Sequence, residues 1–116
     1  MVKIAIATND GLVVNSHFGR AHEFHIVEVD ESDDVWHQVE VRKLDPICGV
    51  GGHDDSALKN TIAKLQDCQV VLAERIGFGA QVALEQANIE CYELPGAVDV
   101  AVAQLMRYRR VKALFA

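Results

Sequence analysis

The chain has 116 residues, half of them hydrophobic and 24% charged, which suffices for one compact domain around one core and excludes two. Eleven lysines and arginines against seventeen aspartates and glutamates leave a formal charge of −6. That argues against a general nucleic-acid binder, whose phosphate contacts need clustered positive charge. No apolar run approaches the roughly 18 to 20 residues that cross a bilayer, and residues 1–7 are too few for a signal-peptide core. A cytoplasmic protein, soluble and without membrane contact, is expected. The three cysteines, Cys48, Cys68 and Cys91, are an odd set without a CxxC pair, which predicts reduced thiols rather than a disulfide framework.

Residues 2–8 are β-branched and apolar and end at Asn9-Asp10-Gly11, which predicts a strand closed by a turn and covered on both faces. Residues 24–30 and 35–41 read as two further strands, the second alternating between apolar and polar, joined as an antiparallel hairpin by Glu31-Ser32-Asp33-Asp34. Leu58, Ile62 and Leu65 recur at helical spacing behind Asp54 and Asp55, either of which can cap the first turn, so a helix is expected over about 55–66. Residues 69–73 form a short buried strand, 79–87 a helix and 90–93 another strand, a βαβ unit that implies parallel pairing by a right-handed crossover. Pro95-Gly96 breaks the chain before a last helix with Val98, Val102, Leu105 and Met106 on its apolar face. The order β-β-β-α-β-α-β-α describes an α/β domain spanning 1–116, a mixed sheet of about five strands flanked by helices. The basic run from Arg107 to Lys112 reads as a solvated helix end, where cations complement the helix dipole.

Three segments could carry chemistry. In Asn15-Ser16-His17-Phe18-Gly19-Arg20-Ala21-His22-Glu23-Phe24-His25, three imidazoles fall just after the first turn. A histidine in a loop beside a glycine can present a nitrogen to a metal without distorting regular structure, and His17 is better placed for this than His22 or His25. The second segment, Cys48-Gly49-Val50-Gly51-Gly52-His53-Asp54-Asp55, combines a thiol, an imidazole and glycines that let a backbone approach a bulky ligand. It lacks a Walker lysine and the GxGxxG spacing, so a phosphate loop fits poorly, and a plain connector ending in a helix cap explains it equally well. The third, Arg75-Ile76-Gly77-Phe78-Gly79, joins a buried strand to a helix at the end where open α/β sheets bind ligands. Cys68, Cys91, Trp36 and Tyr92 read as packing residues. Topology allows all three segments to reach one end of the sheet. A cleft lined by imidazole, thiol, glycine backbone and Arg20 or Arg75 suits a soft, anionic, metal-containing ligand better than magnesium.

The elements Asn15-Ser16-His17-Phe18-Gly19-Arg20-Ala21, Cys48-Gly49, Gly51-Gly52-His53-Asp54, Asp67-Cys68 and Ile76-Gly77 resemble the dinitrogenase iron-molybdenum cofactor biosynthesis family, in its NifX-like and NifB carboxy-terminal-domain-like branch. The similarity runs over nearly the whole chain and is weakest in the last twenty residues. The resemblance implies a ribonuclease H-like fold and a non-catalytic role in nitrogen fixation: a carrier that binds and transfers iron-molybdenum cofactor or its iron-sulfur precursor. It also implies donor and acceptor partners among the nitrogenase cofactor-assembly proteins. The resemblance further implies that His17, matching a histidine implicated in holding the cofactor in that family, is a cluster ligand, that Cys48 and His53 are further candidate metal ligands, and that Phe18, Gly19, Arg20, Gly51, Gly52, Arg75 and Gly77 form the lining. These residues hold no CxxxCxxC motif like that of the radical-SAM half of NifB, so precursor synthesis is not expected of them, and neither is any partner docking assigned to the extra amino-terminal domain of the related carrier NafY.

Two other classes compete. A small zinc or metal-sulfur module could use His17, Cys48 and His53 in a tetrahedral nitrogen and sulfur site. A ribonuclease H-like nuclease would need several convergent carboxylates. Asp10, Asp54 and Asp99 are available for that role, but the first strand carries no inward acid.

Overall fold

The apolar residues of the first strand face both ways, and the strand lies accordingly in the middle of the sheet. In the computed structural model, which describes residues 1–44 and 55–115, β1 (Val2–Ala7) runs between β3 (Glu23–Val29), antiparallel, and β5 (Val70–Ala73), parallel. β4 (Trp36–Lys43) flanks β3 antiparallel and β6 (Glu90–Glu93) flanks β5 parallel, giving the order β4-β3-β1-β5-β6. The helices are α1 (Asp55–Lys64), α2 (Phe78–Gln86) and α3 (Val98–Leu114). The expected five-stranded mixed sheet flanked by helices is what forms.

Alternation along each strand sorts the core into two layers. On one face Ala5, Ala7, Phe24, Ile26, Val71 and Ala73 pack with Ile62, Leu65 and Leu84 from α1, α2 and their ends. On the other, Ile4, Ile6, Val27, Val29, Val70 and Leu72 pack with Val98, Val102, Leu105 and Met106 of α3. Both layers use β1, so removing it would split the core.

Three details differ from the sequence expectation. The predicted helix over 55–66 ends at Lys64, and the chain then turns through amide bonds from Leu65 to Ile62 and from Cys68 to Leu65. Two short strands, β2 (Val13–Val14) and β7 (Gly96–Ala97), pair as a separate antiparallel ribbon at the foot of α3. β4 alternates in sequence but buries little of its apolar side: it is an edge strand, and a register shift opposite Ile26 and Val27 leaves Val39 and Val41 about 40% exposed (41% and 39%). Asn88, at φ 62, closes α2 in the left-handed conformation that asparagine tolerates. Among the described residues no helix is long and apolar enough to cross a membrane.

Candidate functional site

β1 and β5 are parallel, so their carboxyl ends lie side by side, and the loops leaving them meet. Beyond β1 the chain folds back on Thr8, fully buried, whose Oγ1 donates to the carbonyl of Val13 at 2.5 Å and accepts from the amide of Gly11 at 3.1 Å. Asp10 Oδ1 accepts from the amides of Leu12 (2.8 Å) and Val13 (3.1 Å), which hold its carboxyl below the ordinary carboxylate range. Gly11 sits at φ +77, and a Cβ there would stand 2.8 Å from His25 Nδ1, so both the turn and the buried histidine require glycine.

The loop then presents His17. Ser16 and Phe18 clasp the turn after β5: the amide of Glu74 donates to Ser16 O at 3.0 Å and the amide of Phe18 to Arg75 O at 2.8 Å. These bonds make His17 and Arg75 an isolated parallel bridge. Phe18 is buried at 1% exposure with its ring 5.6 Å from that of Phe24, anchoring the short 3-10 turn Phe18–Arg20 in the core. The His17 side chain is left 42% exposed, with Nε2 3.8 Å from Glu74 Oε1. A shallow cavity of about 280 Å³ opens here, lined by Asn9, Asn15, Ser16, His17, Arg20 and His22.

The facing turn is held as firmly. Ile76 is buried; its amide donates to Glu93 Oε2 at 2.7 Å and its carbonyl accepts from Gln81 Nε2 at 2.8 Å. Arg75 is exposed, and Gly77 begins α2 at a point where a Cβ would meet nothing within 4 Å, so the helix start is open.

The structure thus brings together His17, Phe18, Gly19 and Arg20 on one loop with Arg75 and Gly77 on the other. Cys48, Gly51, Gly52 and His53 lie outside the described residues. His25 stands apart: it is 8% exposed on β3, with Nδ1 3.0 Å from Gln38 Oε1 and Nε2 3.3 Å from Glu23 Oε1. Cys68 is buried, and burial pushes its thiol up to about 12; Cys91, half-buried, is also raised by burial. Glu74 is a site residue that the sequence does not single out: a charge directly after a buried strand is ordinary until the fold sets it beside His17. Among the described residues no three His, Cys, Asp or Glu side chains converge as a metal site. A larger cavity, about 440 Å³, lies at the free edge of β6 beside Tyr92 and Tyr108, but it contains no imidazole.

A central β1 flanked by an antiparallel hairpin and a parallel βαβ unit, with a half-exposed histidine where β1 and β5 end, defines a mixed-sheet α/β domain with a histidine-bearing loop at the carboxyl end of its central strands. The chain belongs to the dinitrogenase iron-molybdenum cofactor family, whose model matches residues 1–108. It is 40% identical over 109 residues to the FeMo cofactor biosynthesis protein NifB of Frankia alni, covering 90% of this chain and 21% of that protein. Against NifB of Azotobacter vinelandii it is 38% identical over 93 residues, covering 77% and 18%. The chain therefore spans about a fifth of the length of these relatives (21% and 18%). Among solved structures, PH0822 superposes with a TM-score of 0.65 at 24% identity, covering 90% of this chain and 88% of that one. A Thermotoga protein assigned to NifB gives 0.59 at 22%, covering 92% and 89%. At these identities the structural likeness establishes the fold. Cofactor biosynthesis is the role that the NifB relatives' names carry.

Proposed function

We propose that the chain is a non-catalytic carrier that holds iron-molybdenum cofactor, or its iron-sulfur precursor, between proteins of nitrogenase cofactor assembly in the cytoplasm. The observation that carries this reading is His17, a half-exposed imidazole on a loop fastened by main-chain bonds to the turn after β5. One imidazole facing open space suits a bulky cluster that must later leave, whereas a closed four-ligand site retains its metal. Arg20 and Arg75, both exposed beside it, supply positive charge for an anionic cargo. Cys48 and His53 are the candidates for further ligands, and the amides of Gly51, Gly52 and Gly77 for contacts to the cluster.

Among the described residues, the acids available to the nuclease alternative lend it no support. Asp10 is turned back onto the amides of Leu12 and Val13, and Asp99 Oδ1 accepts from the amide of Val100 in the first turn of α3. Anaerobic mixing of the apo-chain with isolated cofactor, followed by gel filtration with iron and molybdenum analysis, tests the proposal. Co-elution of both metals with the protein is expected; a colourless, metal-free protein peak would contradict it.

A further inference from the structure

The carboxylate of Glu74 stands 3.8 Å from Nε2 of His17, yet the pair has no structural task. Both side chains are about 40% exposed (42% and 41%), and at that exposure an ion pair of this length adds little to stability. The proximity comes instead from the main chain. Glu74 N is bonded to Ser16 O, one residue before His17, and Phe18 N, one residue after it, is bonded to Arg75 O. The backbone of Glu74 is therefore held beside that of His17, with the carboxylate 3.8 Å from Nε2, and replacing the side chain leaves both main-chain bonds intact.

The loop and turn that meet at His17 carry charges of both signs. Arg20 lines the cavity and Arg75 follows Glu74, both attractive to an anionic cluster, whereas Glu74 repels it. A cationic metal at the same nitrogen would feel the reverse. Resting on the carrier reading above, we propose that Glu74 is a positioning residue that sets how loosely His17 holds its cargo: its carboxylate opposes an anionic metal-sulfur cluster at Nε2 and so speeds release.

The test is Glu74→Gln, which keeps shape and removes charge, read with two probes of opposite sign in the full chain. The anionic probe is isolated iron-molybdenum cofactor, loaded anaerobically and challenged with an iron chelator, with release followed by absorbance. The cationic probe is Co²⁺ alone, titrated into native chain, Glu74→Gln and His17→Ala, the last variant isolating the His17 component. Release of the cofactor should slow about fivefold in Glu74→Gln, while the His17 component of Co²⁺ affinity weakens by a similar factor, as expected for one partly screened charge. A residue with a merely structural role would move both probes in the same direction, and that result overturns the proposal, as does no change in either. If the native chain holds cofactor through His17 and Glu74→Gln releases it at the native rate, the proposal fails and the carrier reading stands. If the native chain holds no cofactor, the carrier reading fails and the proposal with it; Co²⁺ then shows separately whether the carboxylate acts at Nε2.

Discussion

His17 and Arg75, far apart in sequence, are joined as an isolated parallel bridge between the loop after β1 and the turn after β5. The backbone of His17 is thus held by main-chain bonds at both its neighbours. A histidine held this way keeps its ring free for a ligand while its Cα stays fixed, which is the kind of preorganisation that lowers the ordering cost of binding.

The anchor of that loop is Phe18, buried at 1% exposure against Phe24. Phe18→Ala is expected to lower stability by about 3–5 kcal/mol, the usual range for deleting a buried aromatic ring. Urea unfolding followed by circular dichroism measures this, and a loss below about 1 kcal/mol would show that the loop is held without the ring.

Glu93 supports the opposite side by accepting from the amide of buried Ile76 at 2.7 Å. Glu93→Ala leaves that amide unpaired and should destabilise by about 1–2 kcal/mol, while Glu93→Gln, which retains an acceptor oxygen, should recover most of the loss. Equal midpoints for the two variants would refute the role of the bond.

Acid sensitivity should be concentrated at Asp67. Arg42 grips its two carboxylate oxygens at 2.7 Å each and Lys3 lies 3.2 Å away, holding the carboxyl well below the usual range. A depressed folded value means that the stabilisation is present above the unfolded value near 3.9 and is lost as pH falls below it toward the folded value. With the Asp67 side chain 47% exposed the effect is screened to about 1 kcal/mol. Native protein should lose stability between pH 4 and 2 more steeply than Asp67→Asn, as measured by thermal melts across about that range; parallel curves would contradict the assignment.

Thiol chemistry separates the cysteines. Cys68 is 3% exposed with its thiol pushed up to about 12 by burial, so it should resist iodoacetamide at pH 8 in the native protein and react only on unfolding. Peptide mapping by mass spectrometry reads the outcome, and fast native-state labelling at Cys68 would mean that the α1 side of the core opens readily.

Much of the fold was legible because hydrophobic period is a local property. Leu58, Ile62 and Leu65 announced α1, and the two-sided apolar run of β1 announced a central strand, with Ile4 and Ile6 facing α3 and Ala5 and Ala7 facing α1 and α2. The β2–β7 ribbon was not legible, since two residues per strand carry no period and their pairing depends on contacts such as Val98 N to Leu12 O. β4 misled in a specific way: Val39 and Val41 alternate with polar residues, but on this bulged edge strand no layer among the described residues covers them. At the candidate site, His17 and Arg20 stood out by loop chemistry. Glu74 did not, because a charged residue after a strand is ordinary until the bridge places it 3.8 Å from Nε2.

The central claim is that His17 holds the cargo, and the most direct measurement is anaerobic loading of native chain, His17→Ala and His37→Ala with isolated iron-molybdenum cofactor. His37 is exposed on β4 and pairs with Glu28, whose other neighbour is Lys3 at the amino end of β1, so it serves as a distant control. Native chain and His37→Ala should carry iron and molybdenum through gel filtration while His17→Ala elutes without them. Equal metal content in all three would contradict the account.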